Sequence, residues 1–152
     1  MSNWAVSAAA KLVEQENMIA ETWSRALQRH QMLAGQAPGL WVAIREALQA
    51  QIQAFNECVG KEVVHLAPTT EDKLTASSRT EIGRRSMTAV FDAKTSSILS
   101  TAYSLDGEVD FQERYVMALN FQDNAAIATP SGVERTPEQL AAHMLDGLMG
   151  WK

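Results

Sequence analysis

The sequence contains only one cysteine, Cys58, together with four prolines and eight glycines in 152 residues. A single cysteine excludes an intrachain disulfide framework and a zinc site built from cysteines alone, and it is typical of a reducing, cytoplasmic compartment. So little proline and glycine, beside 46% hydrophobic residues, excludes a disordered or collagen-like chain. We therefore expect one folded domain over 1–152, because a chain of this length buries roughly 68–70% of its unfolded surface.

An excess of basic residues and long apolar runs are also missing. The formal net charge is −5 at pH 7, so no global positive field attracts a phosphate backbone. No stretch approaches the roughly 20 apolar residues of a membrane-spanning helix. No basic residue precedes Lys11, so we expect no signal peptide. The sequence thus predicts a cytoplasmic protein that binds neither nucleic acid nor membrane.

The motifs of the common enzyme classes are absent as well. The sequence has no G-x-S-x-G, H-E-x-x-H, C-x-x-C or Walker pattern, and its three histidines are widely separated. Residues 106–110 are acidic but lack the glycine and glutamate that complete a calcium loop. His143 and Asp146 are spaced for a helical hydrogen bond, without a third metal ligand in view. We therefore predict no catalytic residue, no metal and no cofactor.

Residues 3–32 and 39–59 both place apolar residues at helical spacing. Gly35 and Pro38 lie between them and commonly end helices, so the pattern predicts two helices paired as an antiparallel hairpin. The first stripe is thin and rich in alanine, which is typical of packing against one neighbour. Its seven-residue row consists of Ala5, Leu12, Ile19, Ala26 and Leu33, with Ala9, Trp23 and Leu27 beside it.

From Lys61 onward, short runs of alternating residues separated by turn residues predict β-strands. Their short links exclude parallel crossovers, so we expect an antiparallel meander of four to six strands within 61–132. Thr136, Pro137 and Gln139 supply the start signals of a helix over 136–150, which we expect to pack on the sheet. The predicted fold class is α+β. The predicted strands are 63–67, 74–79, 86–93, 97–103, 114–121 and 125–129.

One functional hypothesis is a non-catalytic protein-interaction or self-association module. A thin apolar stripe commonly finds a second copy or a protein partner, and a tryptophan near a chain end usually docks on something. Trp23 and Trp41 both lie on apolar helix faces and are also candidates for the core. The hypothesis predicts a homo-oligomer, a dimer, whose interface residues are Trp4, Leu12, Ile19, Trp23 and Trp151.

The alternative hypothesis is an anion-binding domain, or a small enzyme, with a pocket between the sheet and the helices. Residues 73–94 hold the only concentration of basic side chains, interleaved with serine and threonine. Guanidinium groups in that setting can clamp carboxylates or phosphates, although a salt-bridged sheet edge is the more common origin of such a pattern. Strand alternation keeps Glu62 and His65 on opposite faces. The candidate ligand-binding residues are Arg84 and Arg85 for the anion, with His65, Asp92 and Tyr103 as polar wall groups.

Overall fold

A computed structural model describes residues 3–68 and 70–151, and these form an α+β fold, as predicted. The chain divides into two compact units, the first ending at Met32 and the second beginning at Leu33. The first unit is helical, and the second holds the sheets and the core. The elements are α1 (Asn3–Val59), β1 (Val64–Leu66), β2 (Lys73–Thr80), β3 (Gly83–Asp92), β4 (Ser97–Tyr103), β5 (Val109–Val116), β6 (Ala118–Leu119), β7 (Ala125–Ala128), β8 (Glu134–Arg135) and α2 (Pro137–Met149).

Helix α1 continues through Gly35, Pro38 and Gly39, so the predicted helical hairpin is wrong. An interior proline costs about 3 kcal/mol and each glycine about 1 kcal/mol relative to alanine. The following turns bury large side chains, among them Trp41 at 2% and Ile44 at 1% exposure. Burying each such side chain contributes about 1.5–3 kcal/mol. Burial of this helix face therefore outweighs the local signals that would end the helix.

The main sheet is a five-stranded antiparallel meander in the order β1-β2-β3-β4-β5, which confirms the predicted topology. Strand β4 has the predicted bounds, whereas β5 begins earlier and ends earlier than the predicted run 114–121. The backbone N–H of Met117 bonds to Ser96, and the chain then enters the smaller sheet β6-β7-β8. Phe121, the last residue of the predicted run, lies in the turn after β6 and is 94% exposed.

The core lies between the inner face of the main sheet, the part of α1 after Leu33, and α2. Helix α2 packs against β2, β3 and β4, as the prediction required. Its first turn has the predicted capping box: the Thr136 hydroxyl accepts from the Gln139 N–H, and Gln139 Oε1 accepts from the Thr136 N–H. The largest fully buried apolar side chains include Trp41, Ile44, Leu48, Leu74, Met87, Ile98, Met117, Leu140, Met144 and Leu148.

Candidate functional sites

The two candidate anion-binding arginines lie on opposite faces of the main sheet, because neighbouring strand residues alternate. Arg85 lies on the inner side, where its Nε donates to the Leu148 carbonyl at 2.9 Å and its Nη2 lies 2.5 Å from an Asp110 carboxylate oxygen. Asp110 is the extra residue of a β-bulge between β4 and β5. Arg85 therefore ties the end of α2 to β5.

Arg84 lies on the outer face, beside an open cleft of about 300 Å³ at the β1–β2–β3 edge. The register pairs Arg84 directly with Arg79, and it pairs His65 with Ser77. We call this group of residues the arginine cleft. Its lining consists of Glu62, Val63, His65, Ser77, Arg79 and Arg84.

Glu62 and His65 meet in this cleft, contrary to the expectation from strand alternation. His65 Nδ1 lies 2.5 Å from Glu62 Oε1. Alternation does not govern this pair because β1 begins only at Val64, so Glu62 precedes the strand. Within the described residues, the Glu62 carboxylate thus already has a partner in the imidazole.

The other two candidate wall residues lie away from the arginine cleft. Tyr103 shares a cross-strand row with His65, but three strand spacings, about 14 Å, separate them. Asp92 is at the opposite end of β3, where its carboxylate accepts from the Lys94 N–H. The arginine cleft thus contains two of the predicted site residues, His65 and Arg84. It also contains Arg79, which was not predicted because its position opposite Arg84 follows only from the strand register.

A second polar cluster joins β5 to α2 and was not predicted. His143 Nε2 lies 2.9 Å from Glu113 Oε2, and Tyr115 donates its hydroxyl hydrogen to the same oxygen at 3.0 Å. The rings of Tyr115 and Phe111 meet the imidazole edge-on. His143 therefore pairs with Glu113, 30 residues away in sequence, rather than with the neighbouring Asp146.

Electrostatics in this cluster favour a charged Glu113. Burial alone would raise the pKa of Glu113, but hydrogen bonds from His143 and Tyr115, and the charges of His143 and Arg135, outweigh it and lower that pKa. Burial raises the pKa of Tyr115, and the adjacent carboxylate raises it further. The cluster therefore acts as a charge-assisted link between α2 and the sheet at neutral pH.

The substitution Glu113→Gln is expected to lower the free energy of unfolding by about 1 kcal/mol at pH 7, because it removes a charged acceptor that is about one-third exposed. The folded pKa lies below the unfolded value of about 4.3, so the stabilisation exists above that value and is lost as the pH falls. Urea unfolding at pH 7 and pH 3 measures the free energy of unfolding of the variant and of the native chain. We expect the difference between these two free energies to be smaller at pH 3 than at pH 7.

The control for this substitution is Glu46→Gln, because Glu46 is exposed on α1 and has no side-chain partner within the described residues. The free energy of unfolding of this variant is expected to equal that of the native chain at both pH values. An equal loss of stability at pH 7 and pH 3 in Glu113→Gln would contradict the charge-based account of the cluster.

The candidate interface residues of the first unit are exposed. Trp4 is 77% and Trp23 73% exposed, so the assignment of Trp23 to the core is wrong. Leu12 and Ile19 are also more than half exposed. Trp151 belongs to the second unit, where its ring meets Phe55 edge-on at 6.5 Å between centroids. Trp151 thus packs against Phe55 of α1.

The space between the main sheet and its helices is occupied by the core, including Phe91 and Met117. A small apolar cleft of about 170 Å³ remains between α1 and α2, and Phe55, Leu145 and Trp151 contribute to its walls. Cys58 is exposed near the end of α1.

Among residues 3–68 and 70–151, no cluster of three or more His, Cys, Asp or Glu side chains is arranged to hold a metal ion. In that same part of the chain, no helix combines the length and apolarity needed to cross a membrane. The chain matches no protein-family model, no curated protein and no solved structure.

Proposed function

We propose that this protein is a non-catalytic self-association module, and that its first unit pairs with the same segment of a second copy to form a homodimer. The observation that carries the proposal is a stripe of exposed apolar side chains on the helix of that unit. We call it the N-terminal stripe. Its members are Val6, Ala9, Leu12, Val13, Ile19, Ala20, Trp23, Ala26 and Leu27.

The N-terminal stripe covers one side of the helix only. Leu12, Ile19 and Ala26 form one seven-residue row, and the row containing Val13 and Leu27 lies about 100° further round. An apolar stripe about 100° wide is typical of a helix that buries this face against a neighbour. Monomeric proteins rarely leave an apolar surface of this extent in water.

The area of the N-terminal stripe suits a second copy. A standard stable interface buries about 800 Å² per partner. Six large apolar side chains in the stripe are more than half exposed, and together with the alanines they offer an area of that order. Two copies pairing through this stripe would therefore bury enough surface for a stable dimer.

Charges around the N-terminal stripe also permit a second copy. The rows that flank the stripe contain Gln15, Thr22 and Arg29 on one side and Asn17 and Ser24 on the other. Antiparallel pairing about Trp23 would place Arg29 of one copy level with the uncharged Asn17 of the other, so these rows bring no like charges together. Glu16 and His30 interrupt the stripe, each seven residues from Trp23. Antiparallel pairing about Trp23 would place Glu16 of one copy level with His30 of the other, whereas parallel pairing would oppose like residues.

The test is the mass of the full chain in solution. Native mass spectrometry and sedimentation equilibrium between about 1 and 100 μM are expected to show two copies of the 16.7 kDa chain. A monomer across that concentration range would contradict the proposal. A dimer that carries an added small mass would support the proposed dimer and would indicate ligand binding as a second activity.

A further inference from the structure

We infer that the arginine cleft binds a phosphate group, either inorganic phosphate or the phosphate of a monoester. This inference is independent of the proposed dimer, because the cleft lies in the second unit and the N-terminal stripe lies in the first. It rests on the placement of two unpaired guanidinium groups on one face of a strand pair.

The register of β2 and β3 places Arg79 and Arg84 directly opposite each other next to the hairpin turn. Side chains of such a pair leave the same face of the sheet, with their Cβ atoms about 4.5–5.5 Å apart. Like charges at that separation repel and destabilise the strand pair. An anion bound between the two guanidinium groups would remove this repulsion.

Other arginines of the second unit each engage a partner. Arg85 pairs with Asp110, Arg114 donates to the Ser97 hydroxyl, and Arg45 donates to the Glu71 carbonyl. Within the described residues, by contrast, no side-chain hydrogen bond or ion pair engages either Arg79 or Arg84, and both are exposed. The two guanidinium groups therefore have their full donor capacity available to an external anion.

The arginine cleft supplies two further polar groups. The Ser77 hydroxyl engages no hydrogen-bond partner in the described part of the chain, and it lies on the same sheet face as the arginines. His65 uses Nδ1 toward Glu62, which leaves Nε2 for another contact. Two carboxylates lie nearby, but Glu62 is paired with His65, and Glu81 in the β2–β3 turn forms no ion pair with a described residue.

The donor set favours a phosphate group over a carboxylate. A phosphate monoester carries about −1.5 to −2 charge at pH 7 and three strong acceptor oxygens, so it can engage two guanidinium groups and a hydroxyl together. A carboxylate has one charge and two oxygens, which one arginine already satisfies in bidentate geometry. Two opposed arginines with an adjacent serine therefore match the phosphate.

The experiment is an amide NMR titration of the full chain with inorganic phosphate, O-phosphoserine and glutamate, at constant ionic strength and pH 7.5. We expect saturable shifts at residues 63–65, 77–80 and 83–86 with phosphate and O-phosphoserine, with Kd values on the order of millimolar. If only inorganic phosphate saturates, the ligand is the free ion. If O-phosphoserine binds at least as tightly, the site accepts monoesters.

Substitutions at the arginine cleft provide the second part of the test. Arg84→Gln and the double variant Arg79→Gln/Arg84→Gln are expected to weaken phosphate binding at least 10-fold, while amide shifts elsewhere confirm an intact fold. Arg114→Gln is the matched control, because Arg114 is an exposed sheet arginine on β5, and it is expected to bind like the native chain. Absence of saturation up to about 50 mM phosphate, equal binding of glutamate, or undiminished binding by the double variant would each overturn the inference.

Discussion

Replacing Ile19 with glutamate is expected to raise the Kd of the proposed dimer at least 100-fold. Ile19 lies in the N-terminal stripe and is 58% exposed in the single chain. In a dimer, each copy would lose the burial of one large side chain, about 1.5–3 kcal/mol, and would bury a carboxylate in its place. A factor of 100 corresponds to about 2.7 kcal/mol, which these effects exceed. Sedimentation equilibrium over a dilution series measures the change.

Ser7→Glu is the matched control for this substitution. Ser7 lies on the same helix, on the side opposite the N-terminal stripe, and it is also exposed to solvent. The variant adds the same charge, so it corrects for changes in net charge and helix propensity. We expect its Kd to remain within about threefold of the native value, because surface substitutions outside an interface have small effects. Equal weakening by both variants would mean that the stripe is not the interface.

The sheet and α2 could be predicted because their local signals agree with their tertiary environment. Strand β4 lies between two turn signals, and its predicted and observed bounds coincide. The capping residues Thr136 and Gln139 form the hydrogen bonds that their spacing predicts. Elements whose local preference and burial agree in this way are the ones that sequence patterns identify best.

The hairpin prediction failed where local and tertiary effects oppose each other. Gly35 and Pro38 both disfavour a helix, and the free-energy cost of keeping them in α1 arises within the helix itself. The compensating burial of Trp41 and Ile44 depends on a sheet that begins only at Val64. No pattern confined to 33–44 contains that information.

The candidate sites depend on strand register, which the sequence specifies only in part. Alternation already implies that Arg84 and Arg85 lie on opposite faces, but the pairing of Arg79 with Arg84 requires the hairpin register. The contact between His143 and Glu113 joins α2 to β5 across 30 residues. Local patterns therefore identified individual charged residues, while their grouping emerged from the fold.

Replacing Trp41 with alanine is expected to lower the free energy of unfolding by about 4 kcal/mol, the largest stability effect among these predictions. Trp41 is 2% exposed and stacks on Phe91 with ring centroids 6.0 Å apart. Its indole N–H donates to the Glu71 carbonyl at 2.9 Å. Alanine would leave a cavity and remove both contacts, whereas Trp41→Phe retains an aromatic ring and is expected to cost about half as much. Urea unfolding monitored by circular dichroism measures both variants.

Trp23→Ala is the matched control, because it makes the same change on the same helix at an exposed side chain. At protein concentrations below the dimer Kd, we expect it to alter the free energy of unfolding by no more than about 0.5 kcal/mol. Above that Kd, the dimer contributes to apparent stability, so the same substitution becomes destabilising in a concentration-dependent way. A large loss for Trp23→Ala at every concentration would contradict an exposed Trp23 in the single chain. Trp41 and Trp23 thus separate a folding role, which is independent of protein concentration, from an association role, which depends on it.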